Sequence, residues 1–338
     1  WLDQSSHSVG GLYSAAHPPV FIWLTALGYK VFGITNFTTR LWSAIFGCGL
    51  VFVMYLLGKN LYSGSVGFAA AVLLGSNPLF TSYSRLGQLD VTYLFFLTSS
   101  LYLLLIYLKS ERLPFLLFSG VAFGLSLASK SLAGILVLPI VATLILFWRA
   151  SPSLDKKRRW RILITYTLIG VVIVLPWYLL MELRHQQDLE GSFFLSHVIG
   201  SVQSLAAGLG TNVKELGYFY FLNQLIVRFP LSILALGVIL VMVFRLVSGR
   251  NGLNHDRLGW FVPLWLLIVF LAFSTLQTKI VSYTLPMLIP ISLLSASALD
   301  KLHSNEFGRK TSYLLLLATG FTLLWSFSDG ARVGLKNI

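Results

Sequence analysis

The chain has 338 residues, of which 56% are hydrophobic and only 11% are charged, and its mean hydropathy is +0.78. Soluble domains carry roughly 25% charged residues, so this composition excludes an ordinary soluble protein and indicates an integral membrane protein. The formal net charge of +13 does not indicate nucleic-acid binding, because the cations lie between apolar runs, without a long basic helix or interleaved aromatic residues. We therefore expect an all-α, polytopic transmembrane bundle that forms one domain over residues 1–338.

The start of the chain and its single cysteine carry little functional information. The sequence opens with a polar stretch from Trp1 to His7, without an initiator Met and without the basic and apolar regions of a signal peptide. We expect the true N-terminus to lie upstream of Trp1. Cys48 lies in an apolar run, and one cysteine provides neither an internal disulfide nor a CxxC metal site, so we interpret it as a small core residue.

Apolar runs long enough to cross about 30 Å of hydrocarbon, at 1.5 Å per helical residue, recur along the whole chain. An interfacial segment is expected first, at about 18–34, where two prolines precede an apolar stretch. We then expect ten spans, at about 41–58, 65–82, 91–108, 113–130, 132–148, 161–181, 226–246, 259–275, 280–298 and 312–327.

The loop at 149–161 determines the predicted orientation, because it contains six Lys and Arg residues and such loops stay cytoplasmic. Counting alternately from it also places Lys59 and three further basic loops, 109–112, 245–257 and 301–310, on the cytoplasmic side. The remaining loops are predicted to face outward, at about 1–40, 83–90, 130–131, 182–225 and 276–279.

Several charged residues are predicted on the outward side, where the orientation rule disfavours cations. Such cations indicate binding of a phosphate or a carboxylate, although each could also extend along the membrane interface without a ligand. Charged groups that are costly to place near lipid are expected to share a polar site. We predict one external cavity lined by Arg85, Asp90, Lys130, Lys279 and Tyr283.

A set of motifs in a characteristic order resembles a known family. Pro18-Pro19 precedes an apolar stretch, the segment 27–33 and Arg40 follow, and the segment 76–80 then leads to Arg85 and Asp90. The later members of the set are the segments 124–130, 176–178 and 279–286. The set resembles the dolichyl-phosphate-mannose protein mannosyltransferase-like group, which includes the bacterial aminoarabinose transferases of the GT-C glycosyltransferase superfamily.

The resemblance implies a membrane enzyme that takes a sugar from a polyprenyl-phosphate carrier on the outer face of the bacterial inner membrane. Outward cations would stabilise the charge that develops on the leaving lipid phosphate. Lys130 and Lys279 are the candidates, with Tyr283 as a hydrogen-bond donor, and for Lys279 the alternative is a helix-end residue that only reaches the interface. His17 stands where many relatives have Lys, which leaves its phosphate role in doubt because histidine is mostly neutral at pH 7.

An inverting transfer also needs a carboxylate that takes a proton from the acceptor. In the family this acid belongs to an Asp-Glu pair well upstream of the Pro-Pro motif, and Asp3 lies too close to Pro18, so we expect the base upstream of Trp1. Asp90 resembles the family's second acidic position, which orients acceptor or donor, and its alternative is a helix N-cap. Arg85 is expected to pair with Asp90 or to bind the donor phosphate.

The expected partners are a polyprenyl-phosphate-linked sugar, a lipid, glycan or protein acceptor and membrane lipids, with no nucleic acid. The sequence identifies no cofactor with certainty, and it leaves open whether the enzyme uses a divalent cation. Two other functions are also left open: a secondary transporter, which would place ionisable residues near the bilayer midplane, and a lipid-carrier-binding protein without catalysis.

Overall fold

A computed structural model describes residues 18–148, 155–184, 220–229, 232–247, 258–276 and 279–303. Every regular element in these ranges is helical. The α-helices, numbered in chain order, are α1 Val20–Phe32, α2 Asn36–Leu61, α3 Gly64–Gly75, α4 Pro78–Tyr83, α5 Leu89–Ser110, α6 Leu113–Leu127, α7 Ser131–Ile135, α8 Val137–Phe147, α9 Lys156–Arg184, α10 Tyr220–Arg228, α11 Ser232–Val247, α12 Phe261–Thr275 and α13 Leu285–His303. Two 3₁₀ turns lie at Leu258–Trp260 and Val281–Thr284.

Long apolar helices confirm the expected all-α membrane fold. In the described part of the chain, four helical segments are long and apolar enough to cross a membrane: Asn36–Leu61, Leu89–Ser110, Lys156–Leu183 and Val281–Leu302. Shorter apolar helices of 10–17 residues occur where most of the other spans were expected. The number of spans stays a prediction, and the expected span at 312–327 lies outside the described residues.

Three runs that we expected to be continuous spans are each divided into two helices. The run 65–82 is divided because α3 ends at Gly75 and Pro78 begins α4, with the Asn77 side chain accepting the Phe80 N–H at 3.1 Å. Proline lacks an N–H, so it begins a helix more readily than it continues one. The run 132–148 is divided at Leu136, and the run 226–246 between α10 and α11, where the sequence contains Pro230.

The first of two compact units consists of the described parts of Trp1–Val53, Thr81–Lys214 and Leu276–Thr278. Within it, α6 packs along both α5 and α9. Small residues permit this contact, since a Cβ added to Gly124 would lie 2.5 Å from the Ile173 Cβ. The buried Ser100 hydroxyl lies 2.6 Å from the Tyr166 hydroxyl and links α5 to α9.

The second unit consists of the described parts of Met54–Phe80, Glu215–Thr275 and Lys279–Ile338. In this unit α13 packs against α3, α11 and α12. The last turns of α2 approach α3 closely, because a Cβ on Gly58 would lie 2.7 Å from the Gly67 Cα. The Ser65 hydroxyl donates to Asp300 at 2.9 Å, which connects α3 with α13 near their polar ends.

Cys48 lies on an exposed face of α2, so our interpretation of it as a core residue is wrong. Phe52, one helical turn further on, is 61% exposed, which shows that this face of α2 is not packed against the part of the chain that the structure describes. In a membrane protein an apolar helix face can be covered by lipid, so an apolar neighbourhood in sequence does not require burial in protein.

Candidate functional site

The turn after α6 positions Lys130. The helix ends at Leu127, and the carbonyl oxygen of Ser126 then accepts the N–H groups of Ser129 and Lys130 at 3.1 and 3.0 Å. Lys130 is the residue before α7, with φ −153° and ψ 85°. This non-helical backbone turns the chain sharply, so that Lys130 lies at a helix junction rather than within a continuous span.

Asp90 lies in the first turn of α5, where a carboxylate is favoured by the partial positive charge of the helix N-terminus. The N-cap position belongs to Gln88, so the alternative role of Asp90 as the N-cap residue is wrong. The Ser43 hydroxyl of α2 donates to the Gln88 carbonyl at 2.9 Å and fixes this end of α5. Asp90 is therefore held on an anchored helix end.

Lys130 and Asp90 form an ion pair in which Lys130 Nζ lies 2.5 Å from Asp90 Oδ1. The two side chains are only 20% and 13% exposed, so water screens their attraction weakly. Tyr93, one helical turn after Asp90, donates its hydroxyl to the Ala133 carbonyl at 3.0 Å. The elements that carry the two charges are thus joined by a second contact, between α5 and α7.

The residue after the Pro-Pro motif is hydrogen-bonded to the segment that leads into Lys130. Pro18 and Pro19 are buried, and the Val20 N–H donates to the Ala128 carbonyl at 3.0 Å, two residues before Lys130. Two motifs more than 100 residues apart in sequence are therefore adjacent. His17, the predicted phosphate ligand next to Pro18, lies outside the described residues.

Arg85 is exposed and does not form the expected pair with Asp90 among the described residues, because Asp90 pairs with Lys130. Gly87 follows with φ +67°, and a Cβ there would lie 2.7 Å from the Thr39 carbonyl oxygen, so this loop requires glycine at a close approach to α2. The other expected role of Arg85, as a donor-phosphate ligand, stays a prediction.

Lys279, in the second unit, is buried with 7% of its surface exposed. Its ammonium donates to the carbonyls of Ser274 at 2.7 Å and Phe273 at 3.4 Å, which belong to the last turn of α12. A cation at this position is favoured by the negative end of the helix dipole. The alternative in which Lys279 only extends to the interface does not describe this buried, carbonyl-bound ammonium.

An aromatic ring lies beside the Lys279 ammonium. Nζ lies 5.3 Å from the centroid of the Phe221 ring, a cation–π distance, and Tyr283 stacks on Phe273 with centroids 4.8 Å apart. Burial lowers the pKa of the Lys279 amine, because removal from water disfavours the charged form. Lys279 and Tyr283 thus both contact Phe273, while the predicted cavity that they would share with Asp90 and Lys130 stays a prediction.

Within the described ranges, no group of three or more His, Cys, Asp or Glu side chains is arranged to hold a metal ion. Asp90 is already engaged by an ammonium, which competes with any cation for the same oxygen. A role for a divalent cation was left open by the sequence and stays untested.

Sequence reasoning missed Tyr93 in the first unit and Phe221 and Phe273 in the second. Tyr93 could have been found, because it lies three residues after Asp90 and so on the same helix face. Phe273 lies only six residues before Lys279, and its carbonyl accepts from the Lys279 ammonium, so it could also have been suspected. Phe221 had no such signal, because its ring reaches Lys279 from another helix, α10.

Comparison with known proteins supports the expected family. The family described as dolichyl-phosphate-mannose-protein mannosyltransferase matches residues 16–178, which include the Pro-Pro motif, Asp90 and Lys130. The undecaprenyl phosphate-alpha-4-amino-4-deoxy-L-arabinose arabinosyl transferase of Pseudomonas aeruginosa strain UCBPP-PA14 is 27% identical over 301 residues. That match covers 86% of this chain and 50% of the relative, so the chain spans about half the length of such curated relatives.

Solved structures share the fold. ArnT from Cupriavidus metallidurans, bound to undecaprenyl phosphate, superposes with a TM-score of 0.65 at 21% identity, over 86% of this chain and 51% of that one. The archaeal oligosaccharyltransferase AglB from Archaeoglobus fulgidus, in complex with an inhibitory peptide and a dolichol-phosphate, gives 0.63 at 15% identity, over 94% and 48%. These matches show that the chain is similar to protein mannosyltransferase-like and aminoarabinose transferase-like proteins and that it shares the fold of ArnT and AglB.

Proposed function

We propose that this chain carries the donor-binding part of a membrane glycosyltransferase that moves a sugar from a polyprenyl phosphate to a lipid, glycan or protein acceptor. The observation that carries the proposal is the weakly exposed Lys130–Asp90 ion pair at the junction of α6 and α7, inside the stretch that matches the family. The names of the relatives, which specify undecaprenyl phosphate and dolichol-phosphate, support the class of carrier.

The proposed roles follow from the charge that develops during transfer. When the bond from the sugar to the phosphate oxygen breaks, the leaving lipid phosphate gains negative charge, and a fixed ammonium nearby stabilises it. Lys130 has this role in our proposal, and Asp90 holds its ammonium in place and orients the acceptor or the donor. Lys279 and Tyr283 in the second unit, like Arg85 and His17, are further candidate ligands for a lipid phosphate.

The position of the ion pair favours this enzyme over a transporter. A transporter's coupling residues are expected near the bilayer midplane. Asp90 lies in the first turn of α5 and Lys130 lies between α6 and α7, so both charges are at helix ends. Because α5 is long enough to cross a membrane, its first turn is expected near the membrane surface, where the phosphate of a lipid carrier is found.

We expect the purified chain to bind undecaprenyl phosphate more tightly at low salt than at high salt, because the contact is between a phosphate and lysine ammonium groups. Binding can be measured in detergent by native mass spectrometry or by quenching of tryptophan fluorescence. Lys130→Met should weaken binding, while Lys30→Gln, which removes an exposed cation from the last turn of α1, should leave it unchanged. Equal binding of undecaprenol, which has no phosphate, would contradict the proposal.

We further propose that the site faces the outside of the bacterial inner membrane. In a Cys48→Ser background, Gln88→Cys and Ser110→Cys introduce exposed thiols at the two ends of α5. A membrane-impermeant maleimide added to spheroplasts should label the Gln88→Cys protein and spare the Ser110→Cys protein until the cells are lysed. The reverse pattern would place Asp90 and Lys130 on the cytoplasmic side and overturn the proposed sidedness.

A further inference from the structure

A basic surface lies where α5 ends and α9 begins, at the opposite end of α5 from Asp90. The 22 residues of α5 put about 30 Å between the two ends, at 1.5 Å per residue. Arg158 of α9 and Glu111 after α5 form an ion pair of 2.9 Å, which brings the two segments together. The charged residues of these two segments are Lys109, Glu111, Arg112, Asp155, Lys156, Lys157, Arg158, Arg159 and Arg161.

Two of the seven cations in this surface have structural roles. Arg158 pairs with Glu111, and the guanidinium of Arg159 donates to the carbonyls of Leu146 and Trp148, both at 2.9 Å, and to that of Ile145. Arg159 therefore caps the end of α8. In contrast, the exposed side chains of Arg112, Lys156, Lys157 and Arg161 make no hydrogen bond or ion pair with the described residues.

The placement of these cations is electrostatically unfavourable without an anion. The first turn of α9 contains four consecutive cations and no acidic residue, although the N-terminus of a helix carries partial positive charge. The adjacent cations Lys156 and Lys157 also repel each other, because they are closer than the roughly 10 Å over which salt screens charges. Asp155, which accepts the Arg158 N–H at 2.8 Å, and Glu111 offset only part of this charge.

An exposed apolar stripe continues from this basic surface along α9. Trp160 is 56% exposed, and Ile164 and Leu168 on the same helix face are 53% and 58% exposed. Their spacing of four residues places them in line with Lys157 and Arg161 on one side of the helix. The opposite side, with Ile162 and Tyr166, is buried. A tryptophan between a basic end and an apolar stripe is typical of the headgroup level of a membrane.

We propose that Lys157 and Arg161 bind the phosphate of an anionic phospholipid whose acyl chains lie along Ile164 and Leu168, with Lys156 and Arg112 completing the basic surface. Orientation by positive loops depends on how many cations a loop contains, and it does not require them to share a face with exposed apolar residues. A bound lipid explains both the alignment and the cationic helix start. Our sidedness prediction makes this the cytoplasmic leaflet, away from the proposed transfer site.

The test compares the whole chain with its Lys157→Gln/Arg161→Gln variant in detergent. Binding of dioleoyl-phosphatidylglycerol and dioleoyl-phosphatidylcholine is measured by native mass spectrometry over a lipid titration. A lysine or arginine near an anionic surface contributes roughly fivefold in affinity, so the double variant should bind phosphatidylglycerol about 30-fold more weakly. Wild type should prefer phosphatidylglycerol to phosphatidylcholine, and the variant should lose this preference.

The matched control is Lys30→Gln/Arg40→Gln, which removes two other exposed cations and should change phosphatidylglycerol affinity less than twofold. Undecaprenyl phosphate binding should be the same in wild type and the Lys157→Gln/Arg161→Gln variant, which separates this site from the proposed donor site. If the double variant does not fold, each single substitution should give about a fivefold loss. Equal loss in the control, or equal competition by soluble glycerol 3-phosphate, would overturn the lipid site.

Discussion

Replacing Lys130 alone with Met is expected to destabilise the protein more than replacing Lys130 and Asp90 together. The single change leaves the Asp90 carboxylate, which is only 13% exposed, without its ammonium partner. Breaking such a buried pair typically costs about 3–5 kcal/mol, and we expect the lower end because both side chains retain some exposure. Lys130→Met/Asp90→Asn removes both charges and should recover most of this loss.

The same pair of variants separates stability from function. Thermal unfolding in detergent should show a large decrease in the midpoint for Lys130→Met and a small one for the double variant. Undecaprenyl phosphate binding should stay weak in both, because the ammonium proposed to contact the phosphate is absent in both. If the double variant recovered binding together with stability, Lys130 would have only a structural role, and the proposed donor site would be wrong.

The fold was largely predictable because the bilayer restricts the choices. Apolar runs had to be helices, and the runs at 41–58, 91–108 and 161–181 all lie within long helices of the structure. The errors came from local stereochemistry and from the environment of the helices. Pro78 begins a new helix within an apolar run that we treated as continuous. Cys48 lies on an exposed face of α2, and we misassigned it because a helix face exposed to lipid is as apolar as a buried one.

The sequence could single out candidate charged residues, but it could not predict their contacts. The cost of charge in an apolar chain singled out Asp90, Lys130 and Lys279. The Lys130–Asp90 pair depends on tertiary packing, because 40 positions separate the two residues. Lys279 instead turns back to carbonyls five and six residues before it, in the last turn of α12. Arg85 is nearer to Asp90 in sequence, and local proximity alone therefore predicted the wrong pairing.

The largest pH effect is expected at Lys279. Burial lowers the pKa of its amine below the ordinary value of 10.5, so the ammonium is present below the lowered pKa and is lost as the pH rises through it. Binding of undecaprenyl phosphate should therefore decrease on the alkaline side at a lower pH than an exposed lysine would give. Lys279→Arg should remove this alkaline decrease, because a guanidinium stays charged throughout the range.

Lys279→Met distinguishes this binding role from capping of α12. It retains most of the buried apolar volume but removes the ammonium that donates to the Ser274 and Phe273 carbonyls. If Lys279 contacts the lipid phosphate, loss of this charge-assisted contact should cost about 1.5–3 kcal/mol of binding free energy, roughly 10- to 150-fold in affinity. The measurement is a titration with undecaprenyl phosphate at several pH values, beside a thermal melt of each variant. Lys279 would only cap the helix if the variant were less stable but bound undecaprenyl phosphate with unchanged affinity and an unchanged decrease at alkaline pH. An ammonium with a structural role alone does not set the pH dependence of phosphate binding.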